Sequence, residues 1–386
     1  MKATEFKTQL NGYHDVINEI EVLQKYNADY REQRGDLAKI VDRYHPKKIA
    51  MHVVGIKEET RSAKTFRLAS RNHYLPPFQA GQYISVLVDL EGVKTSRPYS
   101  IASSPDQIGY YEITVRRIED GFVSNYLLDE VKVGDLLDCS APAGSFFYNP
   151  VFHGDDLVFL AGGSGITPFM SMIREVTDRG LDRKVHLIYG NRITDDIIYR
   201  KELEERASIS PNLTVTFVIS EPEESYQGET GFLTASLIQR LANPNESTMF
   251  YICGPGVVYQ FCRAELEKAR IQSHRIRLEV SGQVADITKD PSWPSQLSPK
   301  DEVSVCVNGR QTFKVKAGEP LLNSLERHKQ IVPSSCRSGE CSLCRVKLIS
   351  GNVLQPPSAK LRKSDRQFNY IHSCAAYPLS NLEIKL

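Results

Sequence analysis

The sequence predicts a multidomain protein in which an antiparallel β-barrel, an α/β domain with a parallel sheet and a small β-rich domain follow a short helical extension. Three observations predict this fold class: the length of 386 residues, a change along the chain from alternating strands to alternating strands and helices, and a C-terminal group of cysteines. At roughly 100–200 residues per domain, this length predicts two to four domains. A composition of 41% hydrophobic and 25% charged residues is that of a globular chain and excludes wholesale disorder.

The charge balance restricts the classes of partner. Lys and Arg number 48 and Asp and Glu number 47, which leaves a net charge of +1. No global basic field is available to hold nucleic acid or an anionic membrane. No apolar run approaches the roughly 18–20 residues that a membrane span needs, and the first ten residues lack the apolar segment of a signal peptide. We therefore expect a soluble, cytoplasmic protein.

The first part of the chain divides into two regions. Residues 1–48 are polar and carry apolar side chains at helical spacing until His45-Pro46, so we expect two amphipathic helices. Residues 49–153 are short alternating stretches punctuated by Gly and Pro, a pattern typical of an antiparallel barrel or sandwich.

The second part predicts a parallel sheet and a terminal domain. Strands alternate with helices over residues 154–288, which indicates a parallel sheet with helices on both faces. Ligands of such sheets bind at the carboxyl ends of the strands. Residues 289–302 are rich in Pro and Ser and predict a linker. Residues 303–386 open with a hairpin pattern around an Asn-Gly turn.

The cysteines of the terminal domain are the most specific motif. Four residues separate the first two, two separate the next pair, and the fourth follows 29 residues later: Cys336, Cys341, Cys344 and Cys374. This is the plant-type spacing of a 2Fe-2S cluster, in which three thiolates on one tight loop and a distant fourth hold two irons. Gly339 permits a turn that points backbone amides towards sulfide. The alternative is a structural zinc site, although zinc prefers paired C-x2-C clamps and one such pair exists here.

Two candidate nucleotide-binding turns follow predicted strands of the α/β region. In the first, glycines let the backbone approach a diphosphate, Thr167 is predicted to cap the next helix, and the loop residues are Gly163, Ser164 and Gly165. In the second, a thiol that could face a nicotinamide ring precedes a Gly-Pro turn: Cys253, Gly254 and Pro255. Cys253 is equally compatible with a buried cysteine at a strand end.

A further candidate motif, Arg97-Pro98-Tyr99-Ser100, lies on a predicted barrel strand. Arg97 can neutralise a phosphate, Tyr99 can lie against a flavin ring, and Ser100 can hydrogen-bond its reactive edge. A polar barrel strand is the alternative interpretation of the same four residues.

The segment after this strand carries residues that suit a diphosphate site. Arg116 is cationic, Gly121 permits a turn, and Ser124 could cap a helix whose N-terminal amides face a pyrophosphate. An ordinary capped helix would explain the same pattern.

Together these motifs resemble the ferredoxin–NADP reductase superfamily with a C-terminal plant-type ferredoxin domain, over about residues 49–386. The order of motifs is similar to that in the phthalate dioxygenase reductase, hybrid-cluster-protein reductase and vanillate demethylase reductase branches. The resemblance implies a flavin-binding β-barrel, a nicotinamide-binding α/β domain and a β-grasp 2Fe-2S domain.

The resemblance also implies roles for individual residues. Arg97, Pro98, Tyr99 and Ser100 would bind the flavin, and its diphosphate would be held by Arg116, Gly121, Val123 and Ser124. The nicotinamide cofactor would be held by Gly163, Ser164, Gly165, Thr167, Cys253, Gly254 and Pro255. Ser100, Cys253 and Glu279 would lie at the reacting centre, and the four C-terminal cysteines would ligate the cluster.

Two choices of cofactor follow. Glu221 stands where NADPH-using relatives carry Arg, and a carboxylate there would repel a 2′-phosphate, so we expect NADH. Arg192 on a neighbouring loop keeps NADPH possible. FAD is expected, with FMN as the alternative, because nothing in the sequence clearly removes the adenosine site.

The expected function is to pass electrons from NADH through the flavin and the cluster, one at a time, to a separate metalloenzyme or electron-carrier protein. Candidate acceptors are a Rieske-type or di-iron oxygenase, a demethylase or a hybrid-cluster protein. Two alternatives remain: an electron-transfer subunit of a stable complex, and a free-standing diaphorase. The helices of residues 1–48 would dock the acceptor or a second copy of the chain, or would simply cover the barrel's own surface.

Overall fold

The computed structural model describes residues 12–25, 30–72, 74–279, 282, 284 and 286–386. The chain forms two compact units, residues 1–47 and 48–386. In the first unit lie two helices, as the helical spacing predicts: α1 (Tyr13–Lys25) and α2 (Tyr30–Tyr44). The apolar side chains at helical spacing on α2 are exposed; they are Leu37, Ile40, Val41 and Tyr44.

The second unit begins with the predicted antiparallel barrel, which the structure confirms. Its elements are β1 (Ile49–Thr60), β2 (Ala63–Ser70), β3 (Tyr83–Leu90), β4 (Val93–Ser100), β5 (Tyr111–Arg116), α3 (Phe122–Asp129) and β6 (Leu136–Cys139). The strands pair in the order β4-β3-β6-β1-β2-β5. A bridge between Ile101 and Ile113 joins the two ends of this sheet and closes the barrel.

Apolar side chains at alternate positions along the strands fill the interior of the barrel. Met51 and Val53 on β1, and Phe66 and Leu68 on β2, are buried, and they belong to one apolar core with Ile84. Because side chains of successive residues point to opposite faces of a strand, the intervening polar residues face outward. On β4, however, Thr95 and Ser96 are both buried.

A six-stranded parallel sheet forms the next domain. Its elements are β7 (Asp156–Gly162), α4 (Ile166–Arg179), β8 (Lys184–Asn191), α5 (Arg200–Ile209), β9 (Leu213–Ile219), β10 (Glu229–Thr230), α6 (Ala235–Ala242), β11 (Met249–Cys253), α7 (Gly256–Lys268) and β12 (Ile276–Glu279). The strands lie in the order β10-β9-β8-β7-β11-β12, so β8 to β10 are added on one side of β7, and β11 and β12 on the other. The order in which the chain adds its strands therefore reverses between β7 and β11. The crevice at the carboxyl ends of these two strands is the place where such sheets bind ligands.

The C-terminal domain is a mixed sheet with a helix packed against it. Its elements are β13 (Glu302–Val307), β14 (Gln311–Lys316), α8 (Leu321–Arg327), β15 (Arg345–Ser350), β16 (Val353–Leu354), α9 (Lys363–Gln367), β17 (Tyr370–His372), β18 (Tyr377–Pro378) and β19 (Leu382–Lys385). Five strands pair in the order β14-β13-β19-β15-β17. Asn308 and Gly309 both have left-handed φ angles, +53° and +64°, as a two-residue hairpin turn requires.

Two features join the domains of the second unit. Arg174 of α4 is largely buried and donates to Glu112 Oε2 at 2.6 Å and to Ala102 O at 2.9 Å, both on the barrel. The segment predicted as a linker contains Trp293, which packs with Ile287, Leu354 and Tyr377 of a small apolar cluster. Among the described helices, none has the length and apolarity that crossing a membrane would require.

Candidate functional site

The four C-terminal cysteines come together beside β15 and β17. Three lie on the loop between α8 and β15, and Cys374 lies in a 3₁₀ turn after β17. Antiparallel pairing of Arg345 with His372 brings Cys344 close to Cys374, and Ser373 donates from its hydroxyl to the carbonyl of Cys344 at 2.8 Å. Three of the cysteines are buried, whereas Cys341 is exposed.

The thiols of these cysteines contact one another in a chain from Cys341 through Cys336 and Cys374 to Cys344. Cys336 shares hydrogen bonds with Cys341 and with Cys374, and Cys344 shares one with Cys374. The pKa values of Cys336 and Cys344 are lowered because their sulfurs accept these hydrogen bonds, and the pKa of Cys374 is raised because it donates. Within the described residues, no three His, Cys, Asp or Glu side chains are grouped to hold a single ion. These contacts bring all four sulfurs together, as a 2Fe-2S cluster with four thiolate ligands requires.

The backbone of the cysteine loop is bent by left-handed residues. Gly339 has a φ of +82°, and a Cβ on it would lie 3.0 Å from Ala359. Its carbonyl accepts hydrogen bonds from His372 Nδ1 at 2.8 Å and from the Lys360 amide at 3.1 Å. The position therefore requires glycine, because both the φ angle and the space exclude a side chain.

Strand β4, which carries the predicted flavin motif, lies directly against the cysteine loop. Thr95 donates to Glu326 Oε2 of α8 at 2.9 Å and accepts from Arg337 Nη2 at 2.7 Å. Ser96 and Ser334 lie within 3.3 Å of each other through their hydroxyls, and the Ser85 hydroxyl donates to Ser335 O at 3.3 Å. The barrel and the cysteine loop are thus joined over residues 334–337.

Arg97 fits a phosphate group. Its guanidinium is held by the hydroxyl of Thr95 at 2.7 Å and the carbonyl of Ser96 at 2.8 Å. Burial, and secondly the charge of Arg337, lower its pKa to about 10. Among the described residues, no carboxylate lies within ion-pair distance of Arg97, so a partly buried cation remains for an anionic ligand to neutralise. Pro98, Tyr99 and Ser100 follow on the same strand and are half-buried.

The predicted diphosphate residues lie at the start of α3. Gly121 is the N-cap residue and has no side chain, so the prediction that Ser124 caps this helix is wrong. Ser124 lies in the first turn, buried beside Val123, and its hydroxyl has no hydrogen-bond partner within the described part of the chain. A buried, unpaired hydroxyl at a helix N-terminus suits an anionic group, because it can donate to it alongside the helix amides.

Arg116 connects the barrel with the first nucleotide turn. It forms an ion pair with Asp196 of the α/β domain. A Cβ on Gly163 would lie 2.6 Å from Arg116 Nη1. The predicted flavin and nicotinamide sites are therefore contiguous at this arginine.

The two nucleotide turns meet at the crevice between β7 and β11. Gly163, Ser164 and Gly165 form a 3₁₀ turn, and a Cβ on Gly165 would lie 2.2 Å from the carbonyl oxygen of Cys253. Helix α4 begins two residues earlier than predicted, with Gly165 as its N-cap, so Thr167 is not the cap. Its hydroxyl instead donates back to Ser164 O at 2.8 Å, because the preceding turn runs straight into the helix.

Cys253 and Glu279 end adjacent parallel strands, with Gly254 and Pro255 immediately after Cys253. Burial raises the pKa of Cys253 well above its ordinary value, so the thiol stays neutral. Burial raises the pKa of Glu279 to about 8, and the nearby charge of Glu340 on the cysteine loop adds to this effect. Val280 and Ser281, which follow Glu279, lie outside the described residues.

A cavity of about 370 Å³ extends along the carboxyl ends of the strands. Sequence reasoning did not assign Asn191, whose buried side-chain amide has no partner among the described residues and lines this cavity. It also missed Phe232 and Phe261, whose rings lie 6.1 Å apart at the rim. The signal available in the sequence was the position of Asn191 at the end of a strand, where ligand contacts concentrate.

Glu221 lies beyond β9 and pairs with Arg192, which follows β8. Their side chains approach to 3.8 Å, and both are exposed at 66% and 68%. The Glu221 amide also donates to the Arg192 carbonyl at 2.8 Å. The carboxylate therefore stands beside the guanidinium that could otherwise attract a phosphate.

Three family models match consecutive parts of the chain. They describe an oxidoreductase FAD-binding domain over residues 51–148, an oxidoreductase NAD-binding domain over 159–264 and a 2Fe-2S iron-sulfur cluster binding domain over 305–379. These matches confirm the expected cofactors, FAD, a nicotinamide nucleotide and a 2Fe-2S cluster, and favour FAD over FMN.

Characterised relatives span nearly the same length. NADH oxidoreductase HCR of Escherichia coli (strain K12) is 30% identical over 86% of this chain and 96% of its own. The glycine betaine monooxygenase reductase subunit of Pseudomonas aeruginosa is 28% identical over 86% of this chain and 93% of its own. The solved structure of phthalate dioxygenase reductase matches in fold, with a TM-score of 0.66 and 23% identity over 88% of this chain and 98% of that one. The chain therefore belongs to the ferredoxin–NADP reductase family, among the oxidoreductases that carry a C-terminal 2Fe-2S ferredoxin domain.

Proposed function

We propose that this protein takes electrons from NADH and delivers them singly to a separate metalloenzyme, an oxygenase component or a hybrid-cluster protein. The observation that carries the proposal is the hydrogen-bonded contact between strand β4, with its Arg97-Pro98-Tyr99-Ser100 motif, and residues 334–337 of the cysteine loop. Such a contact gives electrons a short path from a flavin on the barrel to a cluster in the loop.

The bound groups supply the redox chemistry: the flavin accepts a hydride from the nicotinamide, and the cluster carries single electrons. The chain supplies orientation and charge. Arg97 and Arg116 would neutralise phosphates, the turns at Gly163 and Gly254 would admit a diphosphate, and Ser100 would hydrogen-bond the flavin edge. Cys253, kept neutral by burial, would border the nicotinamide without acting as a nucleophile.

A cysteine variant separates this function from a free-standing diaphorase. With Cys341→Ser, we expect reduction of cytochrome c by NADH to fall, while direct reduction of a dye by the flavin survives. Cys306→Ser, a thiol outside the cysteine loop, is the matched control and should retain both activities. Equal loss of both activities, or no loss in Cys341→Ser, would contradict the proposed route.

NADH is proposed as the preferred donor on the basis of Glu221. The cytoplasm is proposed as the location, because a reducing compartment keeps thiols such as those of Cys139 and Cys262 free. A stable multi-subunit complex remains the second candidate.

The exposed apolar side chains of α2 favour an interaction role for residues 1–46, either with the acceptor or with a second copy. Deleting residues 1–46 should raise the KM for the acceptor, whereas lost stability with unchanged acceptor reduction would overturn the docking role.

A further inference from the structure

Positive charge is concentrated in the C-terminal domain. Residues 303–386 contain 13 Lys and Arg against 5 Asp and Glu, a formal net charge of +8 in a chain whose total is +1. The remainder of the chain is therefore acidic overall. A charge asymmetry of this size between parts of one molecule creates a directed field, which steers charged partners to one end.

Four of the five acidic residues of this domain, all but Glu383, are paired within it. Glu326 binds Arg337, Asp365 binds Arg345, Glu319 binds Arg327 and Glu340 binds Lys360. Glu326 and Asp365 are also buried. These four carboxylates therefore offer little negative charge to an approaching partner, and cations outnumber acidic residues in the domain by 13 to 5.

Six of the cations lie on segments next to the cysteine loop, and we name them the basic rim. They follow Cys344 on β15 or lie on α9 and the segment before it: Arg345, Lys347, Lys360, Arg362, Lys363 and Arg366. The segment is fixed to the loop because the Lys360 amide donates to the Gly339 carbonyl at 3.1 Å. Lys363 and Arg366 are exposed, and no carboxylate of the described residues lies within ion-pair distance of either.

The basic rim lies beside the exposed edge of the cysteine loop, joined to it at Lys360 and Arg345. Cys341 is the exposed member of the four cysteines, and Leu343 between it and Cys344 is 51% exposed. An apolar contact at the centre with charges around it is the usual anatomy of a protein interface. An electron can leave the cluster efficiently only where a partner approaches this edge.

We propose that the basic rim is the docking surface for an acceptor protein with an acidic surface around its own redox centre. This inference rests on the proposed function and adds the chemistry of the partner. Opposite charges would speed the encounter and orient it, and their effect would weaken with salt. A nucleic acid or an anionic membrane offers the same charge, but neither explains why the rim lies beside the exposed cysteine of the loop.

Two haem proteins of opposite charge serve as probes, acidic cytochrome b5 and basic cytochrome c. In the full-length protein, Lys363→Gln with Arg366→Gln should raise the KM for cytochrome b5 at least fivefold and flatten its dependence on salt. The KM for cytochrome c should stay the same or fall. Arg310→Gln with Lys385→Gln removes the same charge from this domain at the β13–β14 turn and at β19, and should leave both KM values within twofold.

The rate of internal electron transfer distinguishes a failure of the proposed function from a failure of the proposed docking surface. In all these variants, NADH should reduce the flavin and the cluster at the rates of the native protein. The charge-conserving variant Lys363→Arg with Arg366→Lys should keep the native KM for cytochrome b5. A cluster that NADH never reduces would overturn the proposed function itself. A normally reduced cluster with an unchanged KM for cytochrome b5, or with equal effects in the control pair, would overturn the docking surface. Loss of binding to anionic vesicles without a change in that KM would also overturn it, in favour of a membrane partner.

Discussion

Arg337, the residue after the first cluster cysteine, donates a hydrogen bond of 2.7 Å to the hydroxyl of Thr95, two residues before Arg97. The same hydroxyl accepts from Arg97 Nη1 at 2.7 Å and donates to Glu326 Oε2 at 2.9 Å. Since a threonine hydroxyl has one donor and two acceptor positions, all of its capacity is used. One side chain thus ties the phosphate-binding arginine of the barrel to the cysteine loop.

Replacing this hydroxyl should loosen the contact between the barrel and the loop. Thr95→Val keeps the shape but removes one hydrogen bond from each of Glu326, Arg97 and Arg337, so we expect the free energy of unfolding to fall by about 1–3 kcal/mol. Stopped-flow absorbance should show slower cluster reduction with an unchanged rate of flavin reduction by NADH. Thr95→Ser retains the hydroxyl and is the control. An equal slowing of both steps in Thr95→Val would contradict a role confined to this contact.

Gly339 should be essential for holding the cluster. Gly339→Ala places a Cβ 3.0 Å from Ala359 at a φ of +82°, so the loop must shift and the four sulfurs lose their spacing. Analysis of the purified protein should find iron and acid-labile sulfide reduced together, with FAD content unchanged. Gly309→Ala is matched, since Gly309 also has a positive φ, of +64°, but open space around it. Full iron and sulfide content in Gly339→Ala would contradict this prediction and would show that the cysteine loop can accommodate the added Cβ.

Glu221 should determine the choice between NADH and NADPH. Glu221→Arg removes the carboxylate beside Arg192 and adds a cation that can bind a 2′-phosphate, so the ratio of kcat/KM for NADPH to that for NADH should rise at least tenfold. Steady-state ferricyanide reduction measures this ratio without involving the acceptor. Glu224→Arg adds the same charge to an exposed position nearby and should change the ratio less than twofold. A native enzyme that prefers NADPH tenfold would refute the assignment.

Stability should depend on pH through His186 of β8. Burial lowers the pKa of His186 below its ordinary value of 6.5, and its Nε2 lies 2.9 Å from the Thr216 hydroxyl. Because the unfolded chain binds the proton more readily, the stabilisation is complete above pH 6.5 and declines as the pH falls below it. Guanidinium unfolding at pH values on both sides of this window should show a smaller loss for His186→Gln than for the native protein. Identical losses would mean that His186 is equally basic in both states.

Motifs that are local in sequence could be predicted from it, and contacts that depend on tertiary structure could not. The cysteine spacing and the glycine turns after strands are local, and the comparisons confirm the cofactors that they indicated. The hydrogen bond between Thr95 and Arg337 joins residues 242 positions apart, and no local pattern in either segment predicts it. The caps expected of Thr167 and Ser124 failed because glycines took the capping positions, in one case at the end of a 3₁₀ turn.

Anaerobic mixing of the native protein with NADH, followed by rapid freezing and electron paramagnetic resonance, tests the central claim most directly. The account predicts the signal of a reduced 2Fe-2S cluster within one turnover, after bleaching of the flavin and at the same rate as acceptor reduction. Complete bleaching of the flavin with no cluster signal on that timescale would contradict it.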